Sequence, residues 1–558
     1  MNFGRSAREN GEPLISVDAG ERALPRQVVA LAFTAGQIPA SFVSERLATS
    51  LCAETGSSVV LVRLEPRQGD KGTPDGRLPE PYLNGEFHMP PEMPATAAGF
   101  VSLTLGVRSD PPTPAGITSL VSQLSRHFRH VLIQVNVDEH PAPWLFDLLL
   151  RSDLAYLFLK PTAKDVHCFD LIAREAPVRC HRRIAIRPIG CMADGESTDG
   201  FDLLVHRLAS PIHLFVRGTP PASDTLPVDT AKSFRGDVRR IAREISGSLV
   251  GLALSSGAAK GFAHIGVIQV LEENGIEVDV IAGASMGAYV GSLWAHGCDG
   301  QELERLAREL EGRWALWSLV DPAFPPRRGF LRGYAVKKRL MRTLGQERFA
   351  DLVRPLRVVA ANLATLERVV FSSGEVATAV HASIAVPGIC VPITVDGETY
   401  TDGGIVDPLP VDILREMGIS RVIAVNVIPT PDRIRIGIQA ELQRKRDGAM
   451  NGRKPLKKIL RLDRQVNYFA RGNLLEILMR SVHGAQIRMA EASCRLADVV
   501  LRPEIYDDRW LDYRNPGRFI TLGRQVAEQQ LEEIKALVAR KEASHEREFA
   551  PDPMAHVA

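Results

Sequence analysis

The chain has 558 residues, of which 45% are hydrophobic and 24% charged. Composition of this kind excludes wholesale disorder, collagen and coiled coil, and at roughly 100–200 residues per domain it leaves room for three or four domains, or two large elaborated ones. Lys+Arg 68 against Asp+Glu 66 gives a net charge of +2, so no whole-chain field argues for a nucleic-acid partner.

The seven cysteines (Cys52, Cys168, Cys180, Cys191, Cys298, Cys390 and Cys494) are scattered, and none forms a CxxC pair. That pattern argues against a disulfide framework or a structural zinc site, so no metal is expected, and it suits a reducing, cytoplasmic setting. The N-terminal residues lack the apolar core of a signal peptide. No uninterrupted apolar run of about 18 residues is present to span a bilayer.

Residues 1–25 are polar and are expected to be loose. An apolar run at 28–33 reads as a buried strand, 41–55 has helical periodicity, and 57–64 reads as a second strand. Residues 66–97 carry seven prolines and are expected as a long surface loop or linker. Strand signals return at 131–137, 155–159 and 212–216 with helical stretches between, which predicts a parallel sheet. The turn after the first strand has one glycine, Gly36, and no lysine. A P-loop needs GxxxxGK[ST] to cradle phosphate, so this first domain, 26–218, is expected to be a degenerate P-loop-like α/β domain that binds no ATP.

Pro220 and Pro221 mark a boundary, and 219–248 is expected as a linker helix with Val238, Ile241 and Ile245 on one face. A new βα series opens at Leu249 and runs to about 430. Its first turn, Ser255-Ser-Gly257-Ala258-Ala259-Lys260-Gly261, precedes a helix over 262–274. Free backbone N–H groups at such a turn suit either a phosphate or an oxyanion. No GxGxxG is present for a dinucleotide. The segment 278–287 then runs from strand to helix through Gly283-Ala-Ser285-Met-Gly287, a GxSxG. Glycines on both sides allow a sharp turn that lifts the hydroxyl to a helix N-terminus, where negative charge is favoured. By itself GxSxG fits a tight packing turn equally well. Asp402-Gly403-Gly404 follows a short hairpin over 393–400, and alone it is as well read as a turn.

Taken in order, the Gly-rich turn with a basic residue, GxSxG and DGG resemble the patatin-like phospholipases. The string Lys260-Gly-Phe-Ala-His-Ile-Gly266 is similar to their neuropathy-target-esterase-like, lysophospholipase branch. The resemblance covers about 249–427, with weaker support at 497–503 and 519–523. It implies a three-layer α/β/α esterase domain over 249–430, completed by a basic, mainly helical extension over 431–558 and preceded by the degenerate nucleotide-fold domain.

Residue by residue, the resemblance implies that Ser285 is the nucleophile, Asp402 the base of a Ser–Asp dyad, and Gly257, Ala258, Ala259 and Lys260 the oxyanion hole. Gly283 and Gly287 form the elbow, and Gly403 and Gly404 the turn beside the base. The implied activity is hydrolysis of phospholipid or lysophospholipid acyl esters through an acyl-enzyme, without cofactor. The family has three consecutive glycines where this chain has Ser256, Gly257 and Ala258. A positive φ at Ala258 would cost about 1–2 kcal/mol, and an impaired lipid- or partner-binding patatin fold is the alternative. Lys260 is open to three uses: orienting the hole, pairing with a substrate phosphate, or standing as a surface charge.

His264 and His381 are expected to be packing or surface residues. The only histidines after Asp402 are His483, His545 and His556, in the C-terminal extension, which argues against a Ser–Asp–His triad. The stretch 433–480 is basic, and 456–479 places apolar residues near helical spacing. That pattern fits peripheral contact with the inner face of a membrane, or a helix packed on the esterase core.

Overall fold

The computed structural model describes residues 27–34, 38–66, 87, 89, 93, 95–107, 112–138, 141–180, 186–193, 196–197, 200–201, 214–219, 228–311, 320–325, 327–430, 432–433, 435–436, 439, 443, 474–505 and 513–539. The chain forms two compact units, one reaching Gly247 and the other beginning at Ser248.

In the first unit, strands β1 (Gln27–Thr34), β2 (Val59–Pro66), β3 (Val101–Val107), β4 (His130–Val137), β5 (Leu154–Leu159), β6 (Ile186–Ala193) and β7 (Leu214–Thr219) form one parallel sheet. Its order is β3-β2-β4-β1-β5-β6-β7. The period-2 geometry of a strand divides β1 between two cores. Val29, Leu31 and Phe33 enter one, and Val28, Ala30 and Ala32 the other. Helices α1 (Ala40–Thr55), α2 (Pro114–His127), α3 (Pro143–Arg151) and α4 (Ala163–Cys180) cross over between strands.

The stretch expected as a linker helix is α5 (Val228–Ile245), and it is not a linker. Phe234, Val238, Ile241, Ala242 and Ile245 pack into the same core as Val29, Leu31 and Phe33. Its apolar stripe therefore closes one face of the first sheet. The N-terminal 26 residues and most of the proline-rich 66–97 stretch lie outside the described residues.

The second unit opens with β8 (Val250–Leu254), a 3₁₀ turn (Ala258–Phe262) and α6 (Ala263–Glu273). There follow β9 (Val280–Ala284), α7 (Met286–His296), α8 (Gly300–Arg308), α9 (Tyr334–Leu344), β10 (Leu356–Asn362), β11 (Arg368–Phe371) and α10 (Val376–Ser383). Then come β12 (Ile393–Val395), β13 (Glu398–Asp402), α11 (Val411–Glu416) and β14 (Arg421–Val425), and after them α12 (Leu474–Cys494), β15 (Val499–Leu501), α13 (Pro516–Gln529) and α14 (Leu531–Ala539). The sheet order is β12-β13-β10-β9-β8-β14-β15, with β11 also on β10. The centre, β10-β9-β8-β14-β15, is parallel. Strands β8, β9, β10 and β14 are buried along their whole length, as parallel strands covered on both faces must be.

The C-terminal segment completes this unit. β15 extends the sheet beside β14, and α13 crosses α6 at two glycines. A Cβ on Gly266 would stand 2.0 Å from the Ile520 carbonyl oxygen, and one on Gly523 would stand 1.9 Å from that of Ala263. Backbone therefore touches backbone at this crossing, and glycine is required on both helices. Within 433–480, residues 444–473 lie outside the described residues. Ile487, Ala490 and Cys494 of α12 pack on the core formed with Leu249, Ala253 and Ala282. Among the described residues, no helix is long and apolar enough to cross a membrane.

Candidate active site

β9 and β10 lie side by side at the middle of the second sheet, and the ends of β9 and of β13, which pairs with β10, carry the two groups singled out from sequence. β9 runs straight into Ser285, whose φ of 53° and ψ of −118° are strained for a residue with a side chain. The strain is imposed by close packing. A Cβ at Gly287 would stand 2.2 Å from the Leu254 carbonyl oxygen, and one at Gly283 would stand 2.7 Å from the backbone of Gly287 and Ala288. The first turn of α7 is thereby pressed onto β8 and β9, and Ser285 is turned outward at the helix N-terminus. The Ser285 N–H donates to Ser383 Oγ at 2.8 Å, which holds the elbow from α10.

Asp402 ends β13, paired with Ala360 of β10. Its backbone N–H donates to the Ala385 carbonyl at 3.0 Å. Ser285 Oγ donates to Asp402 Oδ2 at 2.6 Å, and the Gly404 N–H donates to Oδ1 at 2.7 Å. The carboxylate is 4% exposed. Burial pushes its pKa up to about 6, although the hydrogen bonds from Ser285 and Gly404 pull the other way. A carboxylate with that proton affinity is a stronger base than a solvated aspartate, and at pH 7 it is still mainly ionised. Gly403 is packed so that a Cβ would stand 2.1 Å from the Val359 carbonyl oxygen, which brings the turn against β10.

The turn after β8 lies beside both. Its Gly257 faces Val427, whose Cγ2 would be 2.3 Å from a Cβ there. Ala258 has φ 49°, the left-handed region that alanine enters at a cost of about 1–2 kcal/mol. The 3₁₀ turn starts at Ala258, so its first N–H groups precede any carbonyl that the turn could supply. The Lys260 N–H is different, because it donates to the Gly257 carbonyl at 3.2 Å. Of the four residues expected to form the oxyanion hole, Lys260 therefore does not offer a free N–H. Its side chain is only 3% exposed, which rules out the surface-charge use.

Both candidate histidines are internal. His264 is fully buried, and its Nε2 lies 2.9 Å from the Ser255 carbonyl; a carbonyl only accepts, so Nε2 carries the hydrogen. Burial pushes its pKa down to about 4. His381 Nε2 meets the Arg332 carbonyl at 3.3 Å, and burial lowers its pKa as well. Each ring thus braces backbone near the site. Among the described residues, no group of His, Cys, Asp and Glu could hold a metal ion.

Several contributors were invisible in the local sequence. Ser383 lies 98 residues from Ser285 along the chain. Ser255 Oγ accepts from the Val427 N–H at 3.0 Å, and the Ser256 N–H donates to the Pro408 carbonyl at 2.8 Å. The Asp407 N–H donates to the Gly403 carbonyl at 2.9 Å, and the Asp407 side chain pairs with Arg368 at 2.9 Å. Segment 403–408 thus links the DGG turn to the Gly-rich turn. No residue spacing encodes such links, since the partners come from separate helices, loops and strand ends.

Residues 252–415 match the family described as patatin-like phospholipase. Curated relatives include a lysophospholipase of Aspergillus fumigatus, nte1, which is 34% identical over 203 residues, and one of Pyricularia oryzae, NTE1, 31% identical over 195 residues. The matches cover 36% and 35% of this chain but only 13% of each relative, so the chain spans about an eighth of their length. Among solved structures, VipD from Legionella pneumophila is similar over 51% of this chain and 67% of its own, with 17% identity and a TM-score of 0.27. MinD from Aquifex aeolicus is similar over 40% of this chain and 97% of its own, with 13% identity and a TM-score of 0.27.

Proposed function

We propose that the protein is a serine esterase that hydrolyses acyl esters of phospholipids or lysophospholipids. The observation that carries this is the 2.6 Å hydrogen bond from Ser285 Oγ to Asp402 Oδ2 at a strained strand–helix elbow. Asp402 takes the Ser285 proton as Oγ attacks the ester carbonyl carbon. The negative oxygen then faces the N–H groups of Gly257, Ala258 and Ala259 and the N-terminus of α7. Collapse expels the alcohol, which receives the proton from Asp402, and leaves the acyl group on Ser285. Water attacks this ester with Asp402 again accepting the proton, and the fatty acid leaves. No metal or cofactor enters any step.

The lipid class comes from the patatin-like match and the names of the curated relatives. A cytoplasmic setting against the inner face of a membrane, with contact through 433–480, belongs to the same proposal. So does the absence of ATP and nucleic acid among its partners.

The test is direct. A fluorophosphonate probe should label the pure protein at Ser285, and Ser285→Ala should lose both label and lysophospholipid hydrolysis, by at least about 10⁴-fold in kcat. The alternative, a catalytically impaired lipid- or partner-binding fold, draws on the strained Ala258. It would be favoured if the wild-type protein bound lysophospholipid yet took no label.

A further inference from the structure

Residues 320–325 and 327–334 of the second unit display side chains that the dyad does not use. Phe324 is 90% exposed, Tyr334 63% and Phe330 37%. Arg327, Arg328 and Arg332 stand exposed among them. Further along, Lys337 and Arg339 are paired with Glu375 and Glu309, whereas no carboxylate among the described residues lies within ion-pair range of these three arginines.

The exposure is not a consequence of looseness. The Ala323 N–H donates to the Phe330 carbonyl at 2.8 Å, and the Arg332 N–H to that of Asp321 at 2.9 Å. The Asp321 carboxylate accepts from the N–H groups of Gly333 at 2.9 Å and Ala335 at 3.0 Å. These bonds pin the described residues as a hairpin that holds the Phe324 ring in water, where it loses the stabilisation that burial would give.

The same hairpin is bonded to the candidate active site. The N–H groups of Phe330 and Leu331 donate to the Ile389 carbonyl at 2.8 and 2.9 Å, and the Val391 N–H donates to that of Leu331 at 2.8 Å. Residues 385–391 continue from α10, whose Ser383 holds Ser285. The carbonyl of Ala385 accepts from both the N–H and the neighbouring Thr401 Oγ1 of the Asp402 strand end.

The geometry points to this hairpin as an interfacial docking element for an anionic phospholipid surface. Phe324 and Tyr334 enter the headgroup layer, and Arg327, Arg328 and Arg332 pair with lipid phosphates. The occupant follows from charge and shape: guanidinium groups with no carboxylate partner among the described residues suit phosphate oxygens, and a projecting Phe324 beside a Tyr334 ring that rests on His381 suits a fluid interface better than a fitted protein pocket. The inference rests on the esterase reading only in giving the docked surface a reason, since it brings acyl esters to Ser285.

The experiment is co-sedimentation of the full chain with phosphatidylcholine vesicles, with and without about one-third phosphatidylglycerol, at low and high salt. Wild type should prefer the anionic vesicles, and salt should weaken the binding. Phe324→Ser should lower partitioning about tenfold. The double substitution Arg327→Gln and Arg328→Gln should lower it about tenfold on anionic vesicles only. Hydrolysis of a soluble short-chain ester should stay at the wild-type rate in both variants, which also reports that they are folded.

Wild-type protein that ignores vesicles, or variants that bind as wild type does, would overturn the assignment. So would complete loss of binding on changing Lys457, Lys458 and Arg461 to Gln while Phe324→Ser has no effect. Hairpin-dependent binding without Ser285-dependent hydrolysis would keep the docking element and remove the esterase reading. Hydrolysis with hairpin-independent binding would do the reverse.

Discussion

Each unit builds a sheet whose central strands are parallel and covered on both faces, and each buries an aspartate near the carboxyl end of those strands. In the first unit Asp165 Oδ2 accepts from Thr34 Oγ1 at 2.8 Å and from the Lys160 N–H at 2.5 Å. Lys160 in turn holds Glu196 at 2.8 Å. The groups at that edge are bonded to one another. In the second unit Asp402 also accepts two hydrogen bonds, but one comes from a serine held at positive φ. The difference lies in the donors: Thr34 ends a relaxed strand, whereas Ser285 is forced outward by glycine-mediated packing. A buried carboxylate becomes a candidate base only when the proton it receives belongs to a group poised to react.

The largest effect that would break this comparison is expected at Asp402, since Asp402→Asn removes the proton acceptor and should lower kcat about 10²–10⁴-fold. The wild-type kcat/KM should hold above about pH 6 and fall on the acid side, because the carboxyl pushed up to about 6 must be ionised to act. Stability runs in the opposite sense. Burial favours the protonated acid, so the stabilisation present below about pH 4, the ordinary range of the unfolded carboxyl, is lost as pH rises through 6. Asp402→Asn should therefore melt near wild type at pH 4 and above it at pH 8, by roughly 3 kcal/mol at most. Near wild-type turnover in this variant would mean that another base acts.

Next in size is Gly287→Ala. Its Cβ would stand 2.2 Å from the Leu254 carbonyl oxygen, so α7 must move away from β8 and carry Ser285 with it. A displacement of about 1 Å at the nucleophile is expected to cost about 10²-fold in kcat, with about 1–3 kcal/mol lost in stability. Fluorophosphonate labelling rate and thermal melting check both. A labelling rate equal to wild type would show that the elbow does not depend on this contact.

The corresponding probe of the first unit is milder. Thr34→Val keeps the shape and removes the hydroxyl that Asp165 accepts, at about 1–3 kcal/mol. For a unit of this size that is a lowering of its melting temperature by about 2–4 °C per kcal/mol, with ester hydrolysis unchanged. A fall in hydrolysis would mean that the two sheets are functionally linked.

Much of this contrast is legible in the sequence, but unevenly. Strands β1, β8 and β9 are apolar runs, and Ser285 stands between Gly283 and Gly287 and Asp402 directly before Gly403 and Gly404, a clustering of glycines that is itself a signal of close packing. β6 escapes because Pro188 and Gly190 interrupt its pattern; Pro188 nonetheless sits opposite Leu157 within the sheet. α5 reads as a linker because a polar stretch precedes it, while its burial depends on a sheet face that periodicity alone cannot supply. Ser383, Asp407 and the Asp321 pin act through backbone groups brought together by the fold. Their chemistry is ordinary, and only three-dimensional proximity makes them part of the site.

The smallest expected effect is also the sharpest test of the oxyanion turn. Ala258 holds φ 49°, and its Cβ makes that conformation costlier than it would be for glycine. Ala258→Gly removes this strain but also frees the unfolded chain, so the net gain should be modest, about 0.5–1 kcal/mol. The backbone N–H groups of Gly257, Ala258 and Ala259 keep their directions, and kcat should be preserved or raised within about threefold, since no donor is lost. Thermal melting and steady-state hydrolysis decide the matter together. A stabilised protein with unchanged or faster turnover would mean that the alanine is tolerated strain at a working hole. A stabilised protein that has lost most of its turnover would mean that the alanine methyl itself fixes the turn, and the N–H groups assigned to the oxyanion would have to be sought elsewhere along the β8 loop.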